Sequence, residues 1–149
     1  MVRFSRSDLE ELHELNRQRE QGRCPEDSAL ESRFSSRFGS DRRLAVYGSL
    51  APGRANHHHL ASLQGQWQSG LTARGDLVRE GWGSDLGYPA LRWSISGPSV
   101  SVDLFVSPEL CRHWSRLDEF EGEEYLRVLV PLFENDQVVT IANLYVAVP

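Results

Sequence analysis

The stretch that most restricts the fold of this chain is QVVTIANLYVAV, residues 137–148. Successive side chains of a β-strand point to opposite faces, so a strand with one wet face alternates apolar with polar residues. Here both alternating sets are mostly apolar: Val138, Ala142, Leu144 and Val146 on one side, Val139, Ile141, Tyr145 and Ala147 on the other. Such a strand has to be covered on both faces, as in the centre of a layered sheet or in the wall of a small barrel. Three further runs are β-branched or aromatic and bounded by Gly, Pro or Asn-Asp: LTARGDLVRE (71–80), SVSVDLFV (99–106) and YLRVLVPLF (125–133). Glu134, Asn135 and Asp136 form the tip of a hairpin between the last two strands. Leu44 to Tyr47 make a shorter apolar strand, and with helical patterns on either side the class is α+β.

A chain of 149 residues, 40% hydrophobic, can bury one core without metals or disulfides. Cys24 and Cys111 are its only cysteines. No apolar run approaches the roughly 18 residues of a membrane span, and the first residues carry no secretory h-region. A cytoplasmic protein with reduced thiols and no membrane association is therefore expected. The 16 basic and 21 acidic residues are scattered and leave a net charge of −5, so no polycationic stripe favours nucleic acid. The run HHHL (57–60) brings consecutive histidines that point in different directions, with no Cys or carboxylate at ligand spacing, and no metal site is expected there.

Residues 1–40 differ from the rest: charges of both signs are dense and apolar residues sparse. Ser7 with Glu10 reads as a capping box, Leu9, Leu12 and Leu15 make a thin apolar line, and Gly22 is a stop. CPEDSALESRF (24–34) reads as a second short helix. The division expected is an N-terminal helical extension over 1–40 and a main domain over 41–149. A thin stripe of this kind serves either to lay the helix on the domain or to bind a partner. The loop GWGSDLGYPAL (81–91), with Trp82 and Tyr88, is either a packed connection or a pocket wall.

SPELCRHWSRLDEFEGEEYLR (107–127) holds the most informative charge. Ser107 as N-cap, Pro108 in the first turn and Gly122 at the end predict one helix between them. At about 100° per residue, Leu110, Trp114 and Leu117 share a face, and Glu121 falls on it. Asp118 lies on the flank and Glu119 on the opposite side, where charges stay wet. A carboxylate on the apolar face costs several kcal/mol unless paired, or holds its proton more tightly. Glu121 is thus either turned outward by a frayed last turn at Gly122, or a partly desolvated acid and base.

The first core strand ends abruptly in Gly48 and Ser49. Glycine lets backbone approach a ligand closely, and amides freed from a sheet ladder can point at an anion. VYGSL at that strand end, a Gly-rich loop closing on YPAL, and LDEFEG followed by YLR together resemble the gamma-glutamyl cyclotransferase-like superfamily over residues 43–148. The chain departs from its relatives at Val102 and Asp103, where they commonly carry Gly-Glu, and in residues 1–40, which have no counterpart in the minimal fold. The resemblance implies a small mixed β-barrel flanked by helices, with Glu121 as the catalytic glutamate and Tyr47, Gly48, Ser49 and Leu50 as the substrate-holding loop. It also implies a reaction. The α-amine of a gamma-glutamyl compound attacks the side-chain carbonyl, closing 5-oxoproline and expelling an amine or amino acid, with Glu121 moving the proton between them. The partner expected is a small-molecule gamma-glutamyl substrate, and no cofactor is required. Tyr125, just past the helix, either adds a hydroxyl to the pocket or is a packed strand tyrosine. Two other functions stay open: a binding module on the same fold, and an interaction protein acting through its leader helix.

Overall fold

The structure, a computed structural model, describes residues 3–22, 28–47, 57–78 and 90–148. Strand β1 spans Arg43–Val46, β2 Gln66–Val78, β3 Ala90–Trp93, β4 Ser99–Val106, β5 Tyr125–Glu134 and β6 Gln137–Ala147. The hairpin between β5 and β6 turns at Asn135 and Asp136, whose φ angles of 52° and 64° are the left-handed pair that matches strand twist in a two-residue turn. On its other side β6 runs parallel to β1, Leu44 lying opposite Asn143. β1 pairs antiparallel with β4, β4 with β2, and β2 meets β5 again at Thr72 opposite Phe133. The ring β2-β4-β1-β6-β5 is therefore closed, a mixed barrel, with β3 added to β2 along Gly75–Val78.

Closure explains the doubly apolar last strand. Ala142, Leu144 and Val146 face the barrel interior with Ala45, Leu104 and Val130. Tyr145 faces outward under Leu60, Leu110 and Leu117, and Ile141 faces outward under Leu12, Leu15, Phe34 and Phe38. Those covers are α1 (Arg6–Glu20) and α2 (Ala29–Phe38) on one flank, and α3 (His58–Ala61), a 3-10 turn (Pro108–Arg112) and α4 (Trp114–Glu121) on the other. The N-terminal helices thus lie on the barrel wall, with Leu129 and Ile141 beneath them.

Four local expectations change. The capping box of α1 is Ser5 with Asp8 instead of Ser7 with Glu10. Starting at Ser5 lets the Asp8 carboxylate bind Arg37 of α2 and lets Phe4 pack on Phe38 at 6.1 Å between ring centres. The single helix expected from Ser107 is broken at His113, with φ −120° and ψ 0°, into the 3-10 turn and α4. The Ser107 hydroxyl accepts the Glu109 N–H, and tight i to i+3 bonding carries the chain to His113, so that Leu110 and Leu117 both reach one outer core. Strand β2 begins earlier, at Gln66, bulging at Gly70, where φ is 85°. Ala90 and Leu91, read as the end of a loop, open strand β3. Trp82, Tyr88 and Cys24 lie outside the described residues.

The two covered faces of β6 make a test of closure. Ile141 and Leu144 are both 0% exposed on opposite faces. Ile141→Ala and Leu144→Ala should each cost about 2–5 kcal/mol in chemical denaturation, whereas a strand with one wet face would tolerate one of them.

Candidate active site

α4 ends where the barrel ends, and Glu121 is its last residue. Leu117 and Glu121, four residues apart, share the inward face. Leu117 anchors the outer core and Glu121 follows it inward, so that the residue is only 9% exposed. Gly122, with φ 84°, takes the chain out of the helix without turning the side chain to solvent. Of the two alternatives for Glu121, the buried one holds. Burial, and then the negative charge of Asp118, push its carboxyl up to about 7. A group with that affinity exchanges a proton near neutral pH in either direction.

Tyr47 follows β1 and is partly buried against the barrel interior. Its hydroxyl donates to the carbonyl of Tyr145 at 2.8 Å and accepts the Leu91 N–H at 2.8 Å, clasping β6 to β3. Burial raises its phenol well above the ordinary value, although the Leu91 hydrogen bond opposes the rise, and the charges of Glu121 and Tyr125 add to it. The influence of both on Tyr47 puts the three groups in one neighbourhood. Tyr125 opens β5, its N–H reaching the Gly122 carbonyl at 3.3 Å, and packs against the outer core. It also lines a cavity of about 600 Å³ with Asp118, Gly122, Arg127 and Tyr145. Glu121 does not line this cavity. Gly48, Ser49 and Leu50 lie outside the described residues.

Asp118 is more than a wet flank. Its side chain is 45% exposed, yet it accepts the Tyr145 hydroxyl at 2.6 Å and Arg127 Nε at 2.8 Å. Arg127 also donates to Asn143 Oδ1 at 2.8 Å and lies 4.4 Å over the Trp114 ring. Burial raises the Tyr145 phenol, Asp118 raises it further and Arg127 opposes both. Asn143 was the readable signal for this cluster: an amide inside an otherwise apolar strand has to find partners. The histidines of 57–59 pack on aromatic rings, His57 on Trp67 at 5.4 Å and His59 on Phe120 at 4.0 Å. Among the described residues no group of three or more His, Cys, Asp or Glu could hold a metal ion, and no helix is long and apolar enough to cross a membrane.

Several solved structures share the fold. YkqA of Bacillus subtilis is 26% identical with a TM-score of 0.52; the match covers 71% of this chain and 35% of that one, so this chain spans about a third of YkqA. An AIG2-like protein of Mus musculus is 19% identical with a TM-score of 0.55, covering 71% of this chain and 76% of its own. A uropathogenic E. coli-specific protein is 19% identical with a TM-score of 0.52, covering 69% and 77%. Among curated proteins none matches the chain. The family described as gamma-glutamyl cyclotransferase, AIG2-like, matches residues 44–149, which include the barrel, α4 and Glu121, and the chain belongs to that family.

Proposed function

We propose that the protein is a gamma-glutamyl cyclotransferase-type enzyme that releases 5-oxoproline and a free amine or amino acid, with Glu121 as the proton-transfer residue. The observation that carries the proposal is a sheltered carboxylate with an affinity near neutrality, in one neighbourhood with the Tyr47 strand end, in a chain of this family. The chemistry asks for such a group. An α-ammonium cannot attack, so Glu121 takes its proton; the freed amine adds to the γ-carbonyl and forms the ring C–N bond. The old γ C–N bond then breaks as Glu121 returns the proton to the departing nitrogen, and the second proton of the ring nitrogen passes by the same carboxylate to the released amine, which leaves as its ammonium while the ring closes as a neutral lactam. One group serves both steps because its affinity lies between the two demands. The ring closure is intramolecular, so holding the glutamyl chain folded supplies much of the acceleration. Gly48, Ser49 and Leu50, next in the chain after Tyr47, are the proposed holders of the anionic end, and Tyr47 and Tyr125 the proposed walls. Tyr47 keeps its place through the two hydrogen bonds that use its hydroxyl on Tyr145 and Leu91.

The test is incubation with a panel of gamma-glutamyl amino acids and amines while 5-oxoproline is measured. With a turned-over substrate, kcat/KM should rise with pH as Glu121 ionises, with a midpoint near pH 7. Glu121→Gln should lower kcat by on the order of 100-fold or more and leave KM nearly unchanged, since glutamine keeps the shape but takes no proton. Wild-type rates of 5-oxoproline formation in that variant would overturn the mechanism.

The same variant carries a stability prediction. The folded carboxyl binds its proton more tightly than the unfolded one, about 7 against an ordinary 4.5. Folding stability is therefore fully present below about pH 4.5, falls as pH rises from there to about 7, and is level above. Glu121→Gln lacks that loss, so above pH 7 it should be more stable than wild type by on the order of 3 kcal/mol, with the gap closing toward pH 4 in urea titrations.

A further inference from the structure

The chemistry proposed above makes no use of the N-terminal helices, yet one side chain of α1 reaches toward the helix that carries Glu121. Arg19 is only 8% exposed. It grips Glu31 of α2 through both carboxylate oxygens, at 2.6 and 2.8 Å. Its remaining nitrogen, Nη1, donates to Asn143 Oδ1 at 2.8 Å and to the Arg127 carbonyl at 3.2 Å. Arg127 donates to the same Asn143 oxygen at 2.8 Å and to Asp118 Oδ1 at 2.8 Å. The orientation of the Asn143 amide is settled by its other end, which donates to the Ser40 carbonyl at 2.8 Å. Two guanidiniums on one oxygen repel each other. They are held there because each has a carboxylate on its far side, Glu31 for one and Asp118 for the other, so that charge alternates along the chain of contacts.

We propose that Arg19 is a positioning residue for the candidate catalytic glutamate: through Asn143 and Arg127 it holds Asp118, and with it the last turn of α4, in the orientation that keeps Glu121 sheltered. This rests on the reading of Glu121 as the proton-transfer residue. The titratable and charged groups around Glu121 are Asp118 on α4, whose charge raises its proton affinity, Tyr47 after β1 and Tyr145 on β6, which both feel its charge, Tyr125 on β5, which acts with it on Tyr47, and Arg127 on β5, which binds Asp118. Arg127 offsets the charge of Asp118, and Arg19 fixes Arg127. Loss of Arg19 removes a hydrogen bond from the Arg127 carbonyl and one from Asn143, and so frees Arg127 and the Asp118 it holds. The last turn of α4 then loosens and Glu121 gains solvent, and because burial is the larger cause of its raised proton affinity, that affinity falls.

The experiment uses the full chain and two readouts: the titration of the Glu121 side-chain carboxyl by carbon NMR, and 5-oxoproline formation from one gamma-glutamyl substrate. Arg19→Ala leaves Glu31 buried without its partner, so the double variant R19M/E31Q, which removes both charges and keeps the volume, is measured beside it. Both should shift the Glu121 titration downward, toward the ordinary carboxyl value, by about half a unit or more. Both should also lower kcat on the order of 10-fold with KM nearly unchanged. R19K restores the charge without the planar fork and should recover only part of kcat. The control is Arg33→Ala, which breaks an exposed contact with Glu11 between the same two helices and should change neither readout. A folded R19M/E31Q protein whose Glu121 titrates as in wild type would overturn the positioning role, even with Glu121→Gln inactive. A shifted titration in a protein that turns over no gamma-glutamyl compound would support the positioning and sink the enzymatic reading.

Discussion

Everything else in this fold is arranged around a strand that has no solvent face. The interior residues of β6 need the other barrel strands, and its outward residues need helices laid over them on two flanks. The N-terminal helices and α4 are in this sense required by the same strand, and β6 is also where they communicate. Asn143 sits on its outer face between the two covers, 1% exposed, and takes a guanidinium from each side. A polar residue in such a place is stable only when every donor and acceptor is met, and here the arginines, Ser40 and the Arg43 carbonyl meet them.

Glu121 and Asp118 are one turn apart and differ in environment. Asp118 keeps a wet edge and accepts three hydrogen bonds from two side chains. Glu121 is turned inward without that solvent edge, and the neighbouring negative charge raises its proton affinity further. A single helical turn thus separates a carboxylate tied to Arg127 and Tyr145 from one whose burial raises its proton affinity, a difference made by environment more than by residue type.

The parts of the molecule legible in the sequence were those with a strong local period. Strand β4 coincides with SVSVDLFV, β5 and β6 match their runs within a residue, and the Asn135-Asp136 turn is where the polar tip placed it. The spacing to Leu110, Trp114 and Leu117 put Glu121 on the apolar face but left open a frayed last turn that would point it outward, and its burial decides between the two. What was not legible depended on partners distant in the chain. β3 has four residues in a Gly-rich surround and exists because β2 offers an edge. The helix break at His113 is a tertiary compromise that seats Leu110 and Leu117 together, and periodicity cannot show it. Arg19 looks like any charge of a solvated helix face until Asn143, 124 positions away, is brought beside it.

The parallel pairing of β1 with β6 sets an order of assembly. β1 is made before both of its neighbours in the ring, β4 and β6, Leu44 lying opposite Asn143. The residues beneath α1 and α2, Leu129 and Ile141, also come late. During synthesis the N-terminal helices and β1 therefore emerge with their apolar faces uncovered, and no nascent intermediate lacking the C-terminal hairpin can close the barrel. The candidate site inherits this timing: Tyr47 has no Tyr145 carbonyl to bind, and α4 no Tyr145 hydroxyl to hold Asp118, until the final strand is in place. Chains that stop before β6 are thereby left without these contacts, and the candidate site is assembled in the same step that completes the core.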